Sequence, residues 1–489
     1  MNIRPRTNGL SAALLTLVAS IPTVSGMVHA QAPAGQVKLL FSDDQDVADV
    51  WGKLRFGATP MRRLRDCANP GFALAWCSPR EDGAWDVLAQ RYQEDETVRD
   101  AHQKKRAWTV VRATTRDGEH FENVEPLFGT APGSAIEPGR WTDHLAIAYN
   151  PEAKEFLALK LGYTRNEGFG YRAFFSADGK VWKEHPKNPL YFNGDSMGLL
   201  WSPKLKRFVS TEKSFQLLPS AKHLPDHGRT ATGLPYRRVL TIRSSPDGRQ
   251  WEPSDSLIDV WGDKFRPLPD QWLTTPDADD PPDLEFYRGN GFWYHDRAFL
   301  VVLNYAASPL KPNQHGPFLS TEWWISHDGL HWKRPYRDVN ALGESLAPPA
   351  WHNPLIIDGK MVFHFGSYLA GMERDRITYA GAAANAEFST AAFRMPEADL
   401  VLNTAVPAPD RVFAKSQAYV MVAVLDEQGK VIPGFEREHC VIQDCNRIDQ
   451  PLRWKGDAER SARQLAGRTI RLRFYLRGAN VYAVTSTQR

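Results

Sequence analysis

The sequence predicts an all-β chain: a five-bladed β-propeller followed by a small antiparallel β-sandwich. Three observations carry that expectation: a turn motif repeated at blade-like intervals, about 360 residues of strand-rich sequence around it, and a change to short alternating strands beyond Pro396. The motif Ser-x-Asp-Gly-x-x-Trp occurs as SADGKVW from Ser176, SPDGRQW from Ser245 and SHDGLHW from Ser326, with a looser copy, TRDGEHF, from Thr115. The aspartates Asp117, Asp178, Asp247 and Asp328 are 61, 69 and 81 residues apart. That interval suits one four-stranded blade per copy and is too long for a solenoid repeat.

Residues 1–30 read as a secretory signal peptide. Arg4 and Arg6 precede an apolar stretch from Leu10 to Val24, and Val28-His29-Ala30 forms a small-residue cleavage pattern. No later segment approaches the roughly 20 apolar residues of a membrane helix, so the mature chain is expected to be exported, periplasmic or secreted, without a membrane span. Losing Arg4 and Arg6 leaves 58 basic residues against 57 acidic ones, which points away from nucleic acid and anionic membranes. In an exported chain, the closely spaced pairs Cys67 with Cys77 and Cys440 with Cys445 are expected to form two local disulfides. Neither pair has the spacing or partner histidines of a zinc site.

Residues 31–395 are assigned to the propeller. The first blade ends with the hairpin at Asp117, the second runs from Trp141 to about Leu190, and the third from Asn193 to about Leu268. The fourth runs from about Glu285 to Val339, and the fifth, from about Pro349 to Phe393, carries a degenerate tip near Ala384. Asp-Gly marks each tip because both positions tolerate the positive φ of a tight turn between twisted strands. The residues before the tips, RAFF, LTIRS and TEWWI, are the aromatic and branched types that strands favour. Trp182, Trp251 and Trp332 are expected to fold over these turns and pack between blades. Leu268 to Pro282 reads as an inter-blade loop, and Glu81 to Arg106 as a charged, partly helical insertion. Residues 396–489 carry YVMVAVLD and TIRLRFYL, period-two segments of a separate sandwich.

In a propeller the first strand of each blade lines the channel, so acids at its start converge from several blades. WTDHLAIAYN, NGDSMGLLW and DLEFYRGNGFWY place Asp143, Asp195 and either Asp283 or Glu285 there. Asp283 and Glu285 are two apart and share a strand face, so either could be the third acid. Glycoside hydrolysis needs two carboxyl groups flanking the scissile bond, and a third raises the donor's pKa by like-charge repulsion. Sugar binding also needs flat apolar faces and hydroxyl partners. His144, Tyr287, Trp293, Trp351, His352 and Arg374 are the candidates at or near the same rim.

With these motifs the chain resembles the five-bladed propeller glycosidases, such as glycoside hydrolase families 32 and 43, in which successive blades supply Asp, Asp and Glu. It looks still more like a set of exported bacterial propeller proteins labelled glycosyl hydrolase, through NGDSM at 193–197, DPPDLEFY at 280–287 and the C-terminal VLDEQGKVIPGF, LRWKG and LAGRTIRLRFYLRGANVYA. The resemblance implies Asp143 as nucleophile or general base, Asp195 as modulator and Glu285 as general acid, acting on an oligo- or polysaccharide without a cofactor, with room for a structural cation in the channel. The family 32 signatures WMNDPNG, RDP and EC are absent. If the first blade supplies an acid instead, Asp43 and Asp44 are the candidates.

Three other readings fit the same sequence. A sialidase would carry Asp-boxes, but those are one residue longer than these turns and come with an arginine triad. A non-catalytic carbohydrate-binding propeller would use its funnel acids to hold a polysaccharide or a cation. A polysaccharide lyase on this scaffold would need a Tyr or His base.

Overall fold

A computed structural model describes residues 36–67, 71–99, 105–129, 140–164, 168–217, 236–255, 268–306, 318–343, 352–408 and 417–487, and the chain is all-β. The expected leader lies outside these residues. No helix among them is long and apolar enough to cross a membrane.

Five antiparallel sheets follow one another along the chain. The first holds Phe72–Pro79, Trp85–Arg99, Lys105–Thr115 and Glu122–Gly129, and the second Arg140–Asn150, Glu155–Thr164, Gly168–Ser176 and Lys183–Glu184. Met197–Ser202, Arg207–Leu217, Tyr236–Ser245 and Leu273–Thr274 make the third, and Leu284–Tyr294, Arg297–Ala306 and Phe318–Ser326 the fourth. The fifth pairs Leu355–Ile357, Lys360–His364 and Tyr368–Glu373 with an N-terminal strand, Arg62–Asp66.

The packing closes on itself. One apolar cluster joins Trp76 and Val110 of the first sheet to Ile147 and Phe156 of the second, and others join the second to the third, the third to the fourth and the fourth to the fifth. A last cluster joins Leu355 and Leu369 of the fifth sheet to Leu74 and Val87 of the first. The first strand of each sheet is the inner one. Their later residues, among them Trp76, Ile147, Leu199, Trp201 and Phe292, line one axial cavity, with Asn353 arriving just ahead of Leu355–Ile357. The inner strands therefore run in the same direction, apolar at the end that closes this cavity.

The repeated turns have the expected construction. Asp178 accepts from the backbone N–H groups of Lys180 and Val181 at 2.8 and 2.9 Å, and the Ser176 hydroxyl donates to the same carboxylate. Trp182 donates from Nε1 to the Gly179 carbonyl and packs on Phe128 and Phe156, so it sits between the first and second sheets. Three of the four tip glycines, Gly118, Gly248 and Gly329, also lean on the sheet before their own. A Cβ on Gly248 (φ +74°) would lie 2.7 Å from Leu157 of the second sheet, and one on Gly118 (φ +75°) 3.0 Å from Leu355 of the fifth.

Two further six-stranded sheets enclose one core that includes Phe388, Phe474 and Trp454. Their membership departs from the division expected at residue 396. Lys38–Leu40 and Arg55–Ala58 join one sheet and Val47–Gly52 the other, and Thr378–Ala382 and Ala386–Thr390 belong here rather than to a fifth blade reaching Phe393. The pairings of the N-terminal strands span more than 300 residues, beyond the reach of local pattern. The described residues of the supposed insertion at Glu81–Arg106 lead into and form paired strands of the first sheet, Trp85–Arg99 and Lys105–Thr115, rather than a helix.

The expected disulfides are not formed: Cys67, Cys77, Cys440 and Cys445 are all free. The members of each pair arrive on different sheets. Cys67 follows Arg62–Asp66 of the fifth sheet, while Cys77 lies on the inner strand of the first, where its thiol donates to the Asn353 carbonyl at 3.0 Å. Cys440 precedes Val441–Ile442 in one C-terminal sheet and Cys445 opens a strand of the other. Burial pushes the Cys67 thiol up to about 11 and that of Cys440 to about 12.

Candidate active site

At the end of the ring opposite the axial cavity, the inner strands of the third and fourth sheets begin with Asp195 and Glu285. Asp195 occupies a turn just before Met197–Ser202 and is held from several sides. The Gly194 N–H donates to the Lys213 carbonyl at 3.0 Å, and the Lys213 N–H donates to the Ser196 carbonyl at 2.9 Å. The Tyr171 hydroxyl lies 2.8 and 3.1 Å from the carbonyl oxygens of Gly194 and Ser196. A Cβ on Gly194 would stand 2.6 Å from the Lys213 carbonyl oxygen, so this clamp needs glycine. Lys213 then turns its ammonium onto the Asp195 carboxylate; the lysine side chain is 5% exposed and the aspartate 31%.

Glu285, the second residue of Leu284–Tyr294, is 1% exposed. Arg238 donates to it from Nη1 at 2.6 Å and from its backbone N–H at 3.3 Å. Burial pushes the Glu285 carboxyl above its ordinary value, against the opposing pull of Arg238 and Lys213. Burial lowers the Lys213 ammonium, with Asp195 opposing. Two residues on, the pairing of the inner strand with Arg297–Ala306 skips, which leaves Tyr287 as the extra residue of a β-bulge. Bulges re-aim side chains near sites. This one sets the Tyr287 ring 4.6 Å from Lys213 Nζ, 5.7 Å from the Arg238 guanidinium and 5.2 Å from the Tyr305 ring. Burial and the nearby Asp195 raise its hydroxyl. Two carboxyls, two cations and two tyrosine rings thus form one cluster.

Asp143 lies on the inner strand of the second sheet, where pairing with Glu155–Thr164 skips between Leu145 and Trp141, so its backbone occupies a second bulge. Its side chain lies outside the described residues. His144 beside it is half-buried. Asp283 precedes the strand and is exposed, so Glu285 is the acid brought into the cluster.

Four expectations fall elsewhere. Trp293 is eight residues along the strand from Glu285, about 26 Å away at the usual rise, buried against the axial cavity with its Nε1 donating to the His295 carbonyl. His352 is buried with its ring between the Asn353 carbonyl at 2.6 Å and the His364 N–H at 3.0 Å, and burial pushes it down to about 4. The Arg374 side chain points toward Asp375, and its carbonyl accepts from Asn403 of a C-terminal sheet, away from the acids. Asp43 caps a short 3-10 helix and meets His327 at 3.1 Å and Lys333 at 2.8 Å, while Lys333 also reaches Asp44. This ties the N-terminal segment to the fourth sheet. Trp351 lies outside the described residues.

Sequence reasoning missed Lys213, Arg238, Tyr171 and Tyr305. The available signal was charge inside strand-like runs, Glu212-Lys213 in RFVSTEKSF and Arg237-Arg238 in YRRVLTIRS, where buried charge is uncommon and calls for a partner.

No family model matches the chain, and no curated protein matches it. Among solved structures, the chain is similar to a family 117 glycoside hydrolase of the marine bacterium Zobellia galactanivorans, at 10% identity and TM-score 0.36, over 65% of this chain and 90% of that one. It is also similar to a GH32 β-fructofuranosidase of Bombyx mori, at 10% identity and TM-score 0.30, over 88% and 94%. An N-acetylgalactosamine deacetylase from F. plautii is similar at 11% identity and TM-score 0.34, over 89% and 95%. Likeness at this level does not transfer an activity.

Proposed function

We propose that the five sheets are blades of a five-bladed β-propeller capped by a β-sandwich, and that the chain is an exported glycoside hydrolase acting on an oligo- or polysaccharide. The observation that carries the reading is one pair of acids: a fully buried Glu285 whose carboxyl is raised by burial, beside an Asp195 held against an ammonium. Such environments push two carboxyls toward different roles. Glu285 donates its proton to the glycosidic oxygen as the bond to the leaving group breaks. Asp143, from the neighbouring inner strand, attacks the anomeric carbon or takes a proton from the attacking water. Asp195 raises the proton affinity of Glu285 and accepts from a sugar hydroxyl, and the Tyr287 and Tyr305 rings offer faces for the sugar. The chemistry needs neither metal nor cofactor.

The test is a screen of furanosides, pyranosides and plant and bacterial polysaccharides with wild type beside Asp143→Asn, Asp195→Asn and Glu285→Gln. Loss of a general acid or base costs about 10²–10⁴-fold in rate. Retention of the wild-type rate by all three variants overturns the assignment. One observation favours a second reading, a non-catalytic glycan-binding propeller: Lys213 and Arg238 already pair with both carboxyls. In that case no glycan is cleaved, and Glu285→Gln changes affinity alone.

A further inference from the structure

Lys213 meets the Asp195 turn at three points. Its N–H donates to the carbonyl on one side of Asp195, its carbonyl accepts from the N–H on the other side, and its ammonium contacts the carboxylate itself. The same ammonium lies over the ring of Tyr287, two residues from Glu285 on the next sheet. A surface ion pair would be worth little. Here the lysine side chain is almost wholly buried, its stem runs beside Phe215 with Nζ 5.5 Å from that ring, and its main chain is pinned, so its charge is delivered to one place. We infer that Lys213 is a positioning residue that aims Asp195, holds it ionised, and couples it electrostatically to Glu285 across the two sheets.

The groups that face this ammonium define the coupling. Asp195 comes from the turn, Phe215 from the lysine's own strand, Arg238 from Tyr236–Ser245, and Glu285 and Tyr287 from the fourth sheet. Behind Asp195 stand Tyr171, Tyr191 and the fully buried pair Glu212–Arg243 at 2.9 Å. With Lys213 charged, Asp195 is favoured as an anion, and the same charge also pulls on Glu285, against the burial that raises that carboxyl. Without it, the two carboxyls face each other with less compensation, and Asp195 takes up a proton at higher pH. The backbone clamp on the turn is independent of the lysine side chain, so a substitution leaves the loop in place while removing the charge.

The experiment is a carbon-detected titration of the Asp195 carboxyl, assigned with Asp195→Asn, in the full chain as wild type, Lys213→Met and Lys213→Arg. An opposite charge at this range moves a carboxyl by about 1–3 pH units. Asp195 should therefore titrate at least one unit higher in Lys213→Met and return toward wild type in Lys213→Arg. On any glycan the wild type cleaves, the acidic limb of kcat/KM should shift upward by the same amount in Lys213→Met. If Lys213→Met does not fold, Asp195→Asn gives the reciprocal reading, because the nitrogen-detected titration of the Lys213 ammonium should move down by a similar amount. An unchanged Asp195 titration in folded Lys213→Met, or an unchanged Lys213 titration in Asp195→Asn, overturns the inference. The kinetic limb alone rests on the hydrolase reading. A shifted titration with no glycan cleaved would sink the hydrolase and leave Lys213 in its role.

Discussion

At the scale of single residues, burial decides what each ionisable group does. Glu285 and Asp195 are both acids at strand starts, yet one is sealed against Arg238 and the other is partly open beside Lys213. His352 and His364 show the same physics without a catalytic role. Both are buried, and burial pushes them down to about 4 and about 3, with His352 adding to the effect on His364. Folded imidazoles with depressed values stay neutral where unfolded ones, near 6.5, take up protons. The unfolded state therefore gains protons first on acidification, and stability, level above about pH 7, should fall as pH drops from about 6.5 toward 4. Each imidazole contributes a slope approaching about 1.4 kcal/mol per pH unit. Urea midpoints at pH 7 and pH 5 should differ, and His364→Phe, whose site already packs against Phe121 with ring centres 5.7 Å apart, should remove about half of that difference. An equal difference in the variant would assign the acid lability to other groups.

At the scale of elements, legibility followed locality. The Asp-Gly tips were readable because a turn's chemistry lies within seven residues: a left-handed glycine, a carboxylate collecting N–H groups and a tryptophan returning over the turn. The strand starts bearing Asp195 and Glu285 were readable from the repeated strand-turn-strand pattern. Lys213 was not, since its meaning comes from a turn 18 residues earlier and a ring on another sheet. The bulge that aims Tyr287 was equally hidden, because a skipped pairing belongs to two strands at once. The glycine at 194 gives the element-scale prediction. Gly194→Ala forces a methyl to within 2.6 Å of the Lys213 carbonyl, which should cost about 1–3 kcal/mol. It should also weaken the Asp195 clamp, measured as a lower thermal midpoint together with at least a tenfold loss of turnover on whatever glycan the screen identifies. An alanine variant with both unchanged would mean that the turn relaxes freely.

At the scale of the whole molecule, the N-terminal segment does the closing. Residues 38–58 contribute strands to both C-terminal sheets, and Arg62–Asp66 completes the fifth sheet. The stretch between Lys38–Leu40 and Val47–Gly52 is pinned to the fourth sheet by Arg297 on Asp46 at 2.6 Å and by Lys333 on Asp43. Deleting residues 37–66 from the chain should therefore abolish cooperative unfolding of ring and C-terminal sheets alike, rather than trimming a dispensable end. A truncated chain with a sharp thermal transition near that of the intact protein would contradict this. Sequence by itself determined the all-β character, the repeated tips and the strand starts that carry acids, because period, turn chemistry and propensity act over a few residues. Tertiary structure alone decided that the first 30 described residues close the last sheets, that the cysteines stay apart, that Trp293, His352 and Arg374 lie away from the acids, and that Lys213 and Arg238 join them. Those outcomes depend on which distant surfaces exclude water together, and hydrophobic closure of a ring is a property of all its sheets at once.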